Sequence, residues 1–350
     1  MSEESVPSQS AIARAAGLSR STVSRALSDH PGTSKETKKL VRETAERLGY
    51  KKNAVVSMLT AQIRASKLQR TKSTLAYLTT LAWTPRIPVI NSTYHLFFEG
   101  ARKRAEELGY GIDTVWLKES AMTGSRMTNI LKARGIRGIL IPPRPTPLSH
   151  ITLDWSEFSA ACIGHALPAP TLHVAAAHHT HIIETALRMC RKYHYQRVGF
   201  AVWPSSDRYT QHAFSSRFLF YQSSIPTKSR LAPLYDAIHG GDDSFVDLPK
   251  LRRWIEKQKP DVIIGVGSQM LEAIRSLGIS IPGDLAYIDL NLAPTDGSCA
   301  GIFEGPEVIA ASAVDLVIEQ IHHNQRGVPL HPKSVAINGK WIDGKTLPKR

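Results

Sequence analysis

No apolar run approaches the ~20 residues that a membrane-spanning helix needs, so no segment reads as one. Cysteine is scarce. Cys162, Cys190 and Cys299 are far apart and odd in number, which fits neither a disulfide framework nor the paired spacing of a zinc site. Also missing are a G-x-S-x-G elbow, an H-E-x-x-H pair and a full G-x-G-x-x-G fingerprint, so hydrolase, zinc-peptidase and dinucleotide chemistry have no motif to rest on. The opening "MSEESVPSQS" is acidic and polar and lacks the apolar centre of a secretory signal. With reduced thiols, this leads to the expectation of a cytoplasmic protein.

The composition is that of a soluble globular chain, 42% hydrophobic and 21% charged, and 350 residues call for two or three domains. Charge is distributed unevenly. The formal net charge is +14, and residues 1–70 hold 13 Lys/Arg against 6 Asp/Glu, half of the whole excess. A basic segment is often only a solvated face, but this concentration points to an anionic partner, above all nucleic acid.

Three short helices are expected in the first fifty residues. Ser8 is placed to cap the first, with Ile12, Ala13 and Ala16 apolar, and Gly17 supplies the left-handed turn that ends it. Ser19 caps the second, Arg20 to Leu27, which buries Val23 and Leu27 at i, i+4. Thr33 and Glu36 have the spacing of a capping box, opening a third helix with Leu40, Val41, Ala45 and Leu48 inward. Two helices about a glycine turn, braced by a third, make a helix-turn-helix unit. Arg20, Ser21, Ser24 and Arg25 are left to face a groove, on a helix without acids. Arginine forks match guanine edges in the major groove, and hydroxyls at a helix start suit phosphate.

The stretch "IARAAGLSRSTVSRALSDHPGTSKETKKLVRETAERLGYKKNA" resembles the headpiece of the LacI/GalR family of bacterial transcription regulators, whose pattern runs V-A-x-x-A-G-V-S-x-x-T-V-S-R-x-L-N and later L-G-Y-x-P-N. The resemblance implies that Arg20, Ser21 and Arg25 read bases, while Ser19, Thr22, Ser24 and Ser28 contact phosphates. It further implies a hinge helix, capped by Asn53, that pairs with a second copy on DNA, with Leu59 wedging into the minor groove. Lys52 stands where the family carries proline, and the hinge looks longer than usual, since Val55, Leu59 and Ile63 fall at i, i+4, i+8.

From Thr74 onward strands alternate with helices. "TLAYLTT", "GIDTVWL", "GILIP", "RVGFAV", "DVIIGVG" and "LAYIDL" read as strands, with a helix from Tyr94 to Leu108 and another about Met127 to Ala133. Such alternation argues for parallel sheets covered by helices. The passage "KPDVIIGVGSQMLEAIRSLGISIPGDLAYIDL" follows the same family's core, which implies two periplasmic-binding-protein-like (type I) subdomains that close on a small molecule and form a homodimer. The expected organisation is an all-α headpiece over 1–52, a hinge and linker over 53–72 and an α/β core over 73–350. Subdomain one is placed at about 73–165 plus 295–326, and subdomain two at about 166–294 plus 327–343.

Ligands of open α/β sheets bind beyond the carboxyl ends of the strands. Trp83, Tyr94, His95, Arg208, Asn291 and Glu304 fall at such places and form the candidate effector set, with a sugar as the class that aromatic faces and planar polar groups suit. The family's Asn-Asp after the strand at 262–266 is Gly267-Ser268 here, and its G-[FY]-D is Asp289-Leu290-Asn291. A metal reading of "HHTHIIE", with His178, His181 and Glu184, lacks further ligands nearby. Neither metal nor cofactor nor catalysis is expected. The function expected is a transcription regulator, a repressor, that binds a palindromic operator under control of a small-molecule effector. An architectural DNA-binding protein with a degenerate sensor, or an α/β enzyme fused to a headpiece, are the alternatives.

Overall fold

A computed structural model describes residues 9–27, 32–50, 73–79, 93–117, 123–143, 151–165, 167–235, 246–293 and 297–350. The chain divides into two compact units, Met1–Thr71 and Lys72–Arg350.

The first unit holds α1 (Gln9–Ala16), α2 (Arg20–Leu27) and α3 (Lys35–Arg47). Gly17 ends α1 at φ +65°, a conformation glycine adopts without steric cost, and the Leu18 N–H reaches back to the Ala13 carbonyl at 3.0 Å. A six-residue core joins Ile12, Ala13, Val23, Ala26, Val41 and Ala45, with Leu18, Leu27, Leu48 and Tyr50 packed at its edge. Two expectations are corrected here. The cap of α3 is Ser34, whose hydroxyl oxygen accepts the Thr37 N–H at 3.2 Å, so the capping residue lies one position after Thr33. Leu40 is 45% exposed, and Thr44 takes the inward place, its hydroxyl donating to the Leu40 carbonyl at 2.8 Å. From Val41 the helical period runs through 44, 45 and 48 and leaves 40 on the shoulder.

The second unit is built on two sheets. The first contains β1 (Thr74–Thr79), β2 (Gly111–Trp116), β3 (Gly138–Ile141), β4 (Ser159–Ile163), β5 (His173–Ala177) and β10 (Ser334–Ile337), in the order β10-β5-β4-β3-β1-β2. Every pairing in it is parallel. The second contains β6 (Val198–Ala201), β7 (Val262–Gly265), β8 (Ala286–Asp289), β9 (Gly301–Phe303) and β11 (Lys340–Ile342), in the order β11-β9-β8-β7-β6. Its first four strands in sequence pair in parallel, and β11 closes the edge antiparallel to β9. The strands β3, β4 and β7, apolar but for Ser159, are buried throughout, as strands covered on both faces must be.

Strand membership departs from the expected ranges at three places. β5 and β10 belong to the first sheet, and β9 belongs to the second. "HVAAA" carries too little hydrophobic contrast to announce β5, so the crossover falls after it and not near residue 166.

Helices α4 (Thr93–Glu107) and α5 (Gly124–Ala133) accompany the first sheet. Around the second lie α6 (His179–Lys192), α7 (Pro204–Tyr209), α8 (Ala213–Ser223), α9 (Leu248–Gln258) and α10 (Ser268–Ser276). The last helix, α11 (Pro306–His322), returns to the first sheet, packing along α4 and over β3, β4 and β5. Gly100 permits that approach, since a Cβ there would stand 2.4 Å from the Glu307 Cα. Buried Gln320 anchors α11 by donating to the Ala160 carbonyl at 3.2 Å and accepting its N–H at 3.3 Å. No described helix is long and apolar enough to cross a membrane.

Candidate functional site

In the first unit the chemistry gathers on α2. The Ser19 hydroxyl oxygen accepts the Thr22 N–H at 3.1 Å and lies 2.7 Å from the Ser21 hydroxyl and 2.8 Å from that of Thr22. Val23 and Ala26 are fully buried and Leu27 is half-buried, which fixes the rotation of the helix. Arg20, Ser21 and Arg25 are therefore exposed, with Thr22 and Ser24 half-buried beside them. No acidic residue opens the helix, so Arg20 stands at its positive end without a carboxylate beside it in the first turn, and Arg25 follows in the last turn. Ser19 is thus a helix cap, a duty separate from the phosphate contact expected of it. Ser28, Asn53 and Leu59 lie outside the described residues.

The second unit contains a cavity of about 300 Å³. Thr93, Tyr94 and Phe97 enter it from the first two turns of α4, and Ser205, Ser206 and Tyr209 from α7. His165, His179 and Phe214 form another part of the wall, and Asn291 and Glu304 follow the ends of β8 and β9. Of the expected effector residues, Tyr94, Asn291 and Glu304 are thus brought together. His95 and Arg208 do not line the cavity, and Trp83 lies outside the described residues. The reason is rotation: Tyr94 and Phe97 share a face of α4 that excludes position 95, and α7 turns 205, 206 and 209 inward while Arg208 is exposed.

Sequence reasoning missed His165, His179, Ser205, Ser206, Tyr209, Thr210 and Phe214. A signal for His179 existed in the histidine cluster, but the neighbouring residues drew attention to metal. His178 caps α6 instead, its Nδ1 accepting the His181 N–H at 3.1 Å. Among the described residues no three His, Cys, Asp or Glu side chains gather as metal ligands. His179 stands edge-on to Phe214 at 5.4 Å and 6.1 Å from His165. Burial, then the neighbouring histidines, pushes its pKa down to about 4, so it is neutral at ordinary pH.

Asp289 organises the strand ends. It is buried and accepts the Gly267 N–H at 2.8 Å and the Asn291 N–H at 2.9 Å. Burial raises its pKa, and those two hydrogen bonds oppose the rise. Tyr287 donates to the Gly267 carbonyl at 3.1 Å, and the Trp203 indole donates to the Val266 carbonyl at 3.1 Å, so the loop after β7 is held from both sides. Gly267 occupies φ +80°, a conformation that glycine adopts without steric cost. Glu304 has its pKa pushed up to about 8, by burial first and the charge of Asp289 second. Rings, hydroxyls, an amide and a carboxyl around one cavity make an arrangement for holding a small polar molecule.

Residues 10–53 match the family model described as bacterial regulatory proteins, lacI family. No curated protein matches the chain significantly. Among solved structures, a transcriptional regulator CelR–cellobiose complex is similar at 15% identity and TM-score 0.56, covering 97% of this chain and 99% of that one. The lac repressor dimer bound to operator and the anti-inducer ONPF gives the same identity, coverage and TM-score. A periplasmic binding protein/LacI transcriptional regulator from Alkaliphilus metalliredigens QYMF, complexed with D-xylulofuranose, is 13% identical over 79% of this chain and 100% of its own, with TM-score 0.57. At such identities the likeness is one of fold. The lacI-family match therefore belongs to the headpiece, residues 10–53, and the rest of the chain shares the fold of these regulators.

Proposed function

We propose that the chain acts as a homodimeric repressor that reads a palindromic operator with α2 and adjusts its affinity when a small sugar-like metabolite occupies the core cavity. The observation that carries the DNA half is the face of α2, where Arg20, Ser21 and Arg25 are exposed while Val23 and Ala26 lock the helix down. Arg20 and Arg25 make bidentate contacts to guanine in this reading, and Thr22 and Ser24 steady the helix on phosphates. Two headpieces from a dimer double the basic surface and match a two-fold site. Asn53 and Leu59 are assigned the hinge cap and the minor-groove wedge on family resemblance.

The regulatory half rests on the cavity, where Tyr94, Asn291 and Glu304 meet between elements of both sheets. A ligand touching both sides favours the closed core, and any such difference in affinity between two states shifts their balance. Repression follows if the empty core holds the headpieces in register for DNA. Selection of bound duplexes from a random pool, with the full-length chain, tests the reading. An enriched palindrome with a flexible pyrimidine–purine step at its centre supports dimer, reading helix and wedge together. Salt-sensitive binding without an enriched motif overturns it in favour of an architectural protein.

A further inference from the structure

Glu304 is a carboxyl that the core leaves facing an open cavity. It follows β9 directly, and among the described residues it makes no hydrogen bond or ion pair. No lysine or arginine lines the cavity among the described residues. The titratable groups that line the cavity with Glu304 are Tyr94 from α4, Tyr209 from α7, His179 from α6 and His165 after β4, and the charge of Asp289 at the end of β8 also acts on it. Burial lowers the pKa of both histidines, so neither offers a cation at neutral pH.

Two helix starts beside Glu304 already carry a carboxyl of the chain itself. Helix starts attract anions through their free N–H groups. At the start of α10, the Gly267 N–H is given to Asp289 at 2.8 Å. At the start of α11, Glu304 itself stands one residue before the capping Gly305. Beside the unpartnered Glu304 carboxyl, the cavity wall carries the rings of Phe97 and Phe214, two tyrosines, and the side chains of Ser205, Ser206 and Thr210, the last donating its hydroxyl to the Asp207 carbonyl at 3.0 Å.

Resting on the reading of this cavity as the effector site, we propose that its ligand carries a protonated amine on a small polyhydroxylated body, an amino sugar and not a sugar phosphate, with Glu304 receiving the ammonium group. Hydroxyls and the Asn291 amide then meet the polyol, and ring faces near the ammonium add cation–π attraction. Burial pushes the Glu304 pKa up to about 8, so the carboxyl is largely protonated at neutral pH. An arriving ammonium ion requires the carboxylate, so binding releases a proton from Glu304 and strengthens as pH rises toward that value. A neutral sugar carries no such requirement.

Calorimetric titration of the full-length chain with glucosamine, galactosamine and mannosamine, beside the three parent sugars and their 6-phosphates, tests this. One amino sugar is expected to bind at least tenfold tighter than its parent and its phosphate, and about thirtyfold tighter at pH 7.0 than at pH 5.5. Glu304→Gln is expected to erase both differences while melting at or above the parent temperature, which shows that it folds. A phosphate or neutral sugar binding as tightly as the amine overturns the cation assignment and leaves the effector reading standing. Unchanged amine affinity in Glu304→Gln removes that residue from the site. Absence of binding by all the sugars tested overturns the effector reading along with the cation.

Discussion

The face proposed to read DNA lies on eight consecutive residues, Arg20–Leu27, whereas the core cavity draws its wall from residues spread between Thr93 and Ile309. A helix of known rotation decides from local sequence alone which side chains are free: once Val23 and Ala26 are buried, Arg20, Ser21 and Arg25 must point outward. The cavity has no such local rule. Its members meet only because strands from two sheets end near one another and helices start there, so topology decides the site before side-chain chemistry does. The two regions also differ in what holds them. Six buried residues support the headpiece, while the core has an extended apolar interior from Leu75 to Leu347.

That contrast is broken most sharply by Val23→Asp. A charge placed at a position 0% exposed costs more than about 3 kcal/mol, enough to unfold so small a unit. All six tryptophans lie beyond residue 80, so their fluorescence reports the core alone. The expected outcome is loss of operator binding with an unchanged fluorescence melting curve; a lowered curve would mean that the two units share stability.

Phe214→Ala acts on the other side. Phe214 is 2% exposed and supports His179 edge-on, so the change removes about 3–5 kcal/mol from the core and ligand binding with it. Headpiece helicity should survive, as circular dichroism on a chain melted in two steps would reveal. Arg25→Ala should cost about 1–3 kcal/mol of specific DNA binding and relax preference at one position per half-site, leaving tryptophan melting untouched. An identical selected motif removes Arg25 from base reading.

Two smaller effects sharpen the comparison. Glu304 has a folded pKa of about 8 against an ordinary 4.5, so the folded core keeps a proton that the unfolded chain releases. Stability contributed by this group is therefore greatest below the ordinary value and declines as pH rises through 8. Glu304→Gln should flatten that decline and raise the melting temperature of the empty core near pH 8. In the headpiece, Ser34→Ala removes the cap of α3 and should cost about 1 kcal/mol. Thr33→Ala should cost less, and the reverse order would restore the capping box that the spacing of Thr33 and Glu36 predicts.

How much of this was legible in sequence follows the same division. The three headpiece helices, the glycine turn and the cap at Ser19 could be read because each is fixed by neighbours within four residues. Reading failed where two polar residues compete for one role, as Thr33 and Ser34 do. In the core, apolar runs announced β1, β2, β3, β6, β7 and β8, but the membership of β5, β9 and β10 depends on which sheet each joins, and the five alanine-rich residues of β5 do not encode that. Tyr94, Asn291 and Glu304 were found because they stand at element ends. His95 and Arg208 were included for the same reason, and helix rotation turned them away. Phe214, His179 and the α7 hydroxyls were missed, since nothing local marks a residue whose partners lie on other strands.

The most direct test of the whole account is the ratio of affinities for a selected duplex and a scrambled duplex of equal length, measured with the full-length chain at one physiological salt concentration. The account predicts a ratio of about 10³ or more, collapsing toward unity when Arg20 and Arg25 are both replaced by alanine. Equal affinities for the two duplexes, with equal salt dependence, would reduce both arginines to phosphate clamps and contradict a sequence-reading regulator.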